Sequence, residues 1–178
     1  YKLHLVVDAI YELPIAFTLT TANEADTTQM ALLLEKAGAK KTENNTEFVI
    51  GDKGYDSQEN NRLVFTECGA IPIIPIRERK DAQMADICNA KGTPSCICGL
   101  EMVFWGRDGN YLKYRCPQAL GKAKCLSRFP CSDSSYGYVL KLPILKNLRL
   151  HPPVPRESKK WKRLYKLRTA VERVNSRI

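Results

Sequence analysis

One carboxylate lies among basic residues near the end of the sequence, where Tyr165, Arg168 and Glu172 follow one another at spacings of three and four. Residues 161–177 are predicted to be helical throughout, and in a helix these spacings place all three side chains on one face. A lone acid within a cationic surface is suited to hold a metal ion against a polyanion. The pattern therefore predicts an enzyme that acts on phosphodiesters.

A second acid, Asp52, follows a short apolar strand predicted at Phe48–Ile50. Ligand sites in open α/β sheets lie at the carboxyl ends of strands, and Gly51 and Gly54 would let a ligand approach the backbone closely. A turn residue that caps the next helix would also explain this Asp. Phosphoryl transfer uses divalent cations held by carboxylates from separate elements. Asp52 and Glu172 are therefore the predicted catalytic residues and the predicted ligands of Mg²⁺ or Mn²⁺.

Basic side chains are concentrated around the second of these acids. Residues 156–178 hold nine Lys or Arg and two Glu, so +7 of the formal charge of +9 falls on this stretch. Such clustering is typical of nucleic-acid binding, although a solvated helix face or another anionic partner would also explain it. Arg168 and Lys53 are expected to contact phosphate, the arginine in a bidentate manner.

The elements that must position these residues alternate between strands and helices. Four strands are predicted, at Leu3–Val7, Leu13–Leu19, Phe48–Ile50 and Ile71–Ile76. The first two should form an antiparallel hairpin. One helix is predicted at about 27–39 with Asp26 as its N-cap, and a second at about 57–68 with Asp56 or Ser57 as its N-cap. This order describes an α/β domain with a mixed sheet flanked by helices.

A segment from 80 to 140 interrupts the alternation and is predicted to be an insertion between a core at 1–79 and a linker with the catalytic helix at 141–178. It is rich in cysteine, and a β-hairpin is predicted from Met102–Trp105 and Tyr111–Tyr114 around the turn residues between them. The apolar content is ordinary for a globular protein, and no apolar run approaches the length of a membrane helix.

The seven cysteines suggest a metal site of their own. Their odd number and the lack of a recognisable signal peptide argue against a disulfide framework. Four thiolates could hold a structural Zn²⁺ in tetrahedral geometry, and reduced cysteines without a metal remain the alternative. The predicted zinc ligands are Cys96, Cys98, Cys116 and Cys125, with Cys88 or Cys131 as alternatives to the last.

Two motifs resemble those of a known family. Ile50–Ser57, which reads Ile-Gly-Asp-Lys-Gly-Tyr-Asp-Ser, and Tyr165-x-x-Arg168-x-x-x-Glu172 are similar to two acidic motifs of the DDE-type transposases of bacterial insertion sequences. The second matches their Tyr-Arg-Glu-Lys signature, whose Lys would fall one residue past Ile178. The combined spacing is far more specific than either motif alone.

The resemblance extends over nearly the whole chain. Tyr1–His4 and Thr20–Asp26 are similar to the family's hairpin and to the start of the helix after it. The resemblance implies an RNase H-like fold and a metal-bound triad of Asp, Asp and Glu, in which Asp52 is the second acid and Glu172 the third. The family's first acid lies on a strand before this hairpin. The chain is therefore expected to be a fragment without that strand, inefficient in cutting DNA, and Asp8, at the hairpin turn, is not expected to replace the acid.

The implied reaction is attack on a DNA phosphodiester, first by water and then by a DNA 3′-hydroxyl. DNA is the expected partner, a homo-oligomer the expected active assembly, and the bacterial cytoplasm, at the nucleoid, the expected location. The alternatives are a non-catalytic nucleic-acid-binding module with a zinc-like insertion and a nuclease of the same fold.

By resemblance, Tyr165 and Arg168 contact DNA near the cleaved end, although a helix face packed on the sheet would also explain them. The DNA-binding residues are then Lys53, Lys162, Tyr165, Arg168 and Arg173.

Overall fold

The computed structural model describes residues 1–39, 46–77, 88–89, 92–127, 129 and 131–177. The chain divides into two compact units, one made of residues 1–77 and 156–178 and the other of residues 78–155. The first unit contains both predicted catalytic acids, and it is assembled from two segments that lie far apart in the sequence. In the described part of the chain, no helix is long and apolar enough to cross a membrane.

The first unit begins with an antiparallel hairpin of β1 (Lys2–Val7) and β2 (Pro14–Thr20), which confirms the predicted pairing. Successive side chains of a strand point to opposite faces. One face carries the buried His4 and Ala16, whereas the other face is apolar but exposed. The exposed residues of that second face are Leu3, Ile15, Phe17 and Leu19.

Helix α1 (Asp26–Lys36) contacts both strands of the hairpin and also packs on a second small sheet. In that sheet β3 (Phe48–Ile50) and β4 (Ile71–Ile73) run parallel, and α2 (Gln58–Thr66) provides the crossover that parallel strands need. The two helices and the sheet share one apolar core. Its members include Met30, Leu34, Val64, Ala70 and Ile74.

The start of α1 differs from the prediction. Asp26 is the first helical residue rather than the N-cap, and the N-cap, Ala25, contributes no side-chain bond. The Asp26 carboxylate instead forms an ion pair with Lys2, in which Lys2 Nζ lies 2.9 Å from Asp26 Oδ1. Because its carboxylate is engaged by β1, it does not cap its own helix. This pair ties α1 to the hairpin.

The start of α2 resolves an alternative that the sequence left open. Ser57 is the N-cap, and its Oγ accepts a hydrogen bond from the Asn60 amide at 3.0 Å. Asp56 is fully buried, and its Oδ2 accepts from the Arg77 amide at 2.8 Å. Asp56 therefore fixes the chain that leaves β4, while Ser57 begins the helix.

The described residues form three small sheets instead of one mixed sheet. β1 and β3 each have a hydrogen-bonded neighbour on one side only, so no backbone ladder joins the hairpin to the parallel pair. Side chains make the connection: α1 packs on both sheets, and His4 Nδ1 lies 3.0 Å from the Tyr55 hydroxyl.

The last helical stretch of the chain is not one uninterrupted α-helix, as was predicted. It consists of α3 (Lys159–Tyr165), a turn of 3-10 helix (Lys166–Arg168) and α4 (Thr169–Asn175). The Thr169 hydroxyl donates to the Lys166 carbonyl at 3.0 Å and so competes for a backbone acceptor at the point where the helix tightens. The backbone stays right-handed helical through this turn, so α4 continues the path of α3.

The second unit holds an antiparallel sheet of β5 (Val103–Asp108), β6 (Tyr111–Arg115) and β7 (Val139–Pro143). The turn between β5 and β6 is shorter than predicted, because β5 continues to Asp108 past an irregularity in its register. No strand was predicted at β7. In this sheet the Arg115 guanidinium lies between the rings of Trp105 and Tyr136, at 4.3 and 4.5 Å from their centroids.

Candidate active site

Asp52 lies at the carboxyl end of β3, separated from it by one glycine. The Gly51 amide donates to the Ile73 carbonyl at 3.2 Å, which continues the pairing with β4 up to the acid. Asp52 itself is extended and precedes a turn of 3-10 helix, Lys53–Tyr55. A Cβ at Gly54 would collide with the Asp26 carboxylate, which is paired with Lys2, so a larger residue there would have to displace that side chain.

The C-terminal helical stretch brings three side chains to Asp52. Arg168 Nη1 lies 2.7 Å from Glu172 Oε1 and 3.3 Å from Asp52 Oδ1. The Tyr165 hydroxyl donates to the same Asp52 oxygen at 3.5 Å, which is long for a hydrogen bond. A single guanidinium nitrogen thus bridges two acids that are 120 positions apart in the sequence.

The charge of Asp52 affects the tyrosines around it. Burial, with the charges of Asp26 and Asp52, raises the pKa of Tyr55 to about 12. Burial and the charge of Asp52 also raise the pKa of Tyr165 above its ordinary value. The hydrogen bond to Glu172 raises the pKa of Arg168. The surroundings of Asp52 therefore carry negative potential, which Arg168 offsets and which would also attract a metal cation.

Helix α3 is fixed beside β3 and β4 by contacts outside the site. Trp161 is buried, and its ring stacks on Tyr165 with centroids 4.8 Å apart. The Arg156 Nε donates to the Ile74 carbonyl at 2.9 Å, and Lys160 Nζ lies 5.3 Å above the Phe48 ring. These contacts hold Tyr165 beside the carboxyl end of β3.

The other predicted DNA-binding residues lie in different surroundings. Lys53 is exposed next to Asp52, and Lys162 is exposed on α3, 3.6 Å from Glu157. Arg173 is directed away from the acids, because its Nε donates to Glu12 Oε1 at 2.6 Å and its Nη1 to Thr169 Oγ1 at 2.7 Å. The structure thus brings Lys53, Tyr165 and Arg168 to Asp52 but turns Arg173 toward the hairpin.

Asp52 and Glu172 have the donor chemistry that Mg²⁺ requires. Their oxygens are hard ligands, their side chains are 55% and 58% exposed, and both reach toward one cationic atom of Arg168. These two carboxylates would be two of the ligands of the predicted metal site. Across the residues that the structure describes, no group of three or more His, Cys, Asp or Glu has an arrangement that could hold a metal ion.

Asp8, which was not expected to serve as the first acid of the triad, stabilises the hairpin turn. Its Oδ1 accepts hydrogen bonds from the Ile10 and Tyr11 amides, both at 2.8 Å. The contact between His4 and Tyr55 was not predicted from the sequence. Tyr55 belongs to the same motif as Asp52, but no pattern in the sequence connects it with a histidine 51 positions earlier.

The four predicted zinc ligands differ in their surroundings. Cys96 and Cys116 are buried, whereas Cys98 and Cys125 are partly exposed. A hydrogen bond between Cys98 and Cys125 is the main reason why the pKa of Cys98 rises to about 11, and Cys131 contributes through its charge. Cys125, and Cys131 through its charge, therefore act on the thiol of Cys98.

Comparison with known proteins gives one result for the whole sequence. A sequence model described as the transposase DDE domain matches residues 1–178. Neither a curated protein nor a solved structure matches the chain. The matched range includes Asp52 and Glu172 and the two residues that contact Asp52, Tyr165 and Arg168.

Proposed function

Because the chain belongs to the transposase DDE domain family, we propose that it is the catalytic domain of a DNA transposase, which cuts DNA strands and transfers them with the help of divalent metal ions. The observation that carries this proposal is the meeting of Asp52 and Glu172 on Arg168. Two acids from separate elements, held beside a basic helix, are what metal-dependent attack on a phosphodiester needs.

Each residue of the site has a role in the proposed reaction. Asp52 and Glu172 would hold Mg²⁺ or Mn²⁺, which supplies the charge that activates the attacking oxygen and stabilises the leaving one. Arg168 and Lys53 would bind phosphate oxygens. Tyr165, whose ring is fixed by Trp161, would lie against the DNA strand near the cleaved bond, and Lys162 would extend the phosphate contacts along α3.

The unpaired sides of β1 and β3 support an RNase H-like arrangement that includes one more strand. Both strands lie near α1, and His4 of β1 reaches Tyr55, which follows β3. A strand between them would join the hairpin and the parallel pair into one sheet. An Asp on that strand would complete the triad with Asp52 and Glu172.

Metal binding tests the role of the two acids directly. Mn²⁺ titration followed by electron paramagnetic resonance should show that Asp52→Asn and Glu172→Gln each weaken binding by at least about tenfold, because even outer partners of metal ligands can cost that much. The double variant should bind at least as weakly as the weaker single one, since both acids hold the same ion. Glu67→Gln, an exposed acid at the end of α2, is the matched control. Equal affinity in all variants would refute the proposed site.

Substitution of Arg168 should separate metal binding from DNA binding. The Arg168 cation occupies the space between the carboxylates, so Arg168→Gln should raise Mn²⁺ affinity by about two- to fivefold, the range of exposed ion pairs. The same change should lower DNA affinity, because it removes a phosphate ligand. Arg163, on the exposed side of α3, provides the control. Arg163→Gln should leave Mn²⁺ affinity unchanged, and any effect should be limited to a lower DNA affinity.

Strand cleavage separates the proposal from the alternatives. The protein extended upstream by the preceding coding sequence should cut DNA with Mg²⁺ or Mn²⁺ and join the new 3′-end to a second DNA. Cutting without joining would indicate a nuclease of the same fold. If the added segment has no Asp and neither cation supports cutting, the chain is a nucleic-acid-binding module instead.

A further inference from the structure

The turn between β1 and β2 is joined to α4 by one acid that uses both of its oxygens. Glu12 Oε1 accepts from Arg173 Nε at 2.6 Å, and Glu12 Oε2 accepts from Arg177 Nη2 at 2.9 Å. The Glu12 side chain is only 23% exposed, although it lies at a hairpin turn. We define this set of two ion pairs as the Glu12 clasp.

The turn holds Glu12 in a conformation that a glutamate rarely adopts. Its φ of 55° is in the left-handed region, where Gly or Asn would be less strained. Asp8 builds the turn around it: the Asp8 carbonyl accepts from the Glu12 amide, and the Asp8 amide donates to the Leu13 carbonyl, both at 2.9 Å. Strained conformations concentrate at positions with a specific role, and here the Glu12 side chain makes both ion pairs.

Helix α4 follows the 3-10 turn and has seven residues of its own, so tertiary contacts contribute to its orientation. Ala170 and Val174 supply its buried side chains. Glu172 and Arg173 are adjacent on this short helix, so a contact that fixes the arginine also fixes the direction in which the acid points.

We propose that Glu12 is a positioning residue, which orients α4 so that Glu172 faces Asp52. This inference rests on the proposed function of the two acids. Arg173 then acts through Glu12, not through DNA. The hairpin turn becomes part of the support of the active site, although no residue of the turn touches the acids.

Hydrogen exchange measured residue by residue tests the clasp itself. Glu12→Gln keeps the size of the side chain, and Arg173→Gln removes the other partner. Each should speed the exchange of the α4 amides by about three- to tenfold, as expected for losing a charged, doubly bonded contact. The amides of α2 should not change. Glu12→Lys with Arg173→Glu restores an opposite pair and should recover part of the protection, and Glu24→Gln is the control for an exposed acid.

Mn²⁺ affinity then separates positioning from simple attachment. If Glu12 orients Glu172, Glu12→Gln weakens Mn²⁺ binding while the unfolding temperature of the whole chain stays close to that of the parent. Unchanged α4 exchange, or faster exchange in α2 and α4 alike, overturns the clasp. Faster α4 exchange with unchanged Mn²⁺ affinity overturns the positioning role.

Failure of the proposed function would look different. In that case Asp52→Asn would not affect Mn²⁺ binding, while the α4 amides would still report whether the clasp exists. DNA affinity tests the role of Arg173. A loss in Arg173→Gln that Glu12→Gln does not share would assign Arg173 to DNA and contradict the inference.

Discussion

At the scale of single residues, the site is organised by one cation shared between two acids. Arg168 is 27% exposed, less than half as much as Asp52 or Glu172, so its charge is the better shielded one. Two carboxylates that meet without a counter-charge would repel each other. Arg168 thus lets Asp52 and Glu172 approach each other without a metal ion. Under the proposed function, it would bind a phosphate oxygen once a metal ion displaces it.

Tyr55 provides a pH test of the charge near Asp52. Its pKa is raised from 10.0 to about 12, so the folded protein keeps the phenol proton in a range where the unfolded chain has lost it. Stability from this group is complete below pH 10 and is lost as the pH rises toward 12. Ultraviolet titration of the eight tyrosines should show a late phase that loses the amplitude of one tyrosine in Tyr55→Phe.

Two comparisons make this titration specific. Tyr11→Phe, which changes an exposed tyrosine, should remove signal only from the early phase. Asp52→Asn should move the late phase to lower pH, because the Asp52 charge helps to hold the Tyr55 proton. A late phase of undiminished amplitude in Tyr55→Phe would contradict the assignment.

At the scale of elements, local signals fixed some boundaries and tertiary contacts decided the others. The bounds of β3 and the pairing of β1 with β2 follow from strand patterns and from a turn, and both were predicted. The N-cap of α1 was predicted wrongly, because the Asp26 carboxylate pairs with Lys2 of another element. The tightened turn before α4 was missed as well, since helical spacing cannot distinguish a 3-10 turn from an α-helical one.

The N-cap of α2 gives an element-scale prediction. Ser57 Oγ satisfies the Asn60 amide at 3.0 Å, so Ser57→Ala should lower the free energy of unfolding by about 1 kcal/mol. Urea unfolding measures this loss. Thr66→Ala, in the last turn of the same helix, removes only a bond to the Arg62 carbonyl and should cost much less. Equal losses would show that the cap does not stabilise the helix.

At the scale of the whole molecule, charge is divided sharply along the sequence. Residues 1–77 have seven Lys or Arg against eleven Asp or Glu, a net −4, whereas residues 78–155 have twelve against six, a net +6. With +7 on residues 156–178, most positive charge lies outside the segment that provides Asp52. DNA should therefore be attracted by the second unit as well as by α3 and α4.

The salt dependence of DNA binding measures these contacts. Affinity should fall as salt rises, because each neutralised phosphate releases counterions. If Lys162 contacts a phosphate, Lys162→Ala should reduce the salt slope by about one and weaken binding to all sequences alike. Lys36→Ala is the matched control, since Lys36 lies on α1 and donates to the Phe17 carbonyl. An unchanged slope for Lys162→Ala would remove this residue from the interface.

The sequence allowed the two acids to be chosen because each lies in a motif with its own local signal. Their meeting could not be derived from either motif, since it depends on how α3 and α4 return to β3. The Glu12 contact has no sequence signal at all, because its partners are 161 and 165 positions away. The domain limits at 79 and 140, a homo-oligomeric assembly, a location at the nucleoid and a zinc ion on the cysteines stay predictions. The metal content of the purified protein would test the last.

The first unit is made of two segments that are distant in the sequence, and this determines when the site can form during synthesis. Asp52 leaves the ribosome 120 residues before Glu172, and at about 5–20 residues per second this interval is roughly 6–24 s. During that time the residues of the hairpin, β3 and β4 have been synthesised but those of α3 and α4 have not. The nascent chain then contains Asp52 without Glu172. The paired acids form only after Glu172 has emerged. Arrested translation products would therefore lack the two-acid site.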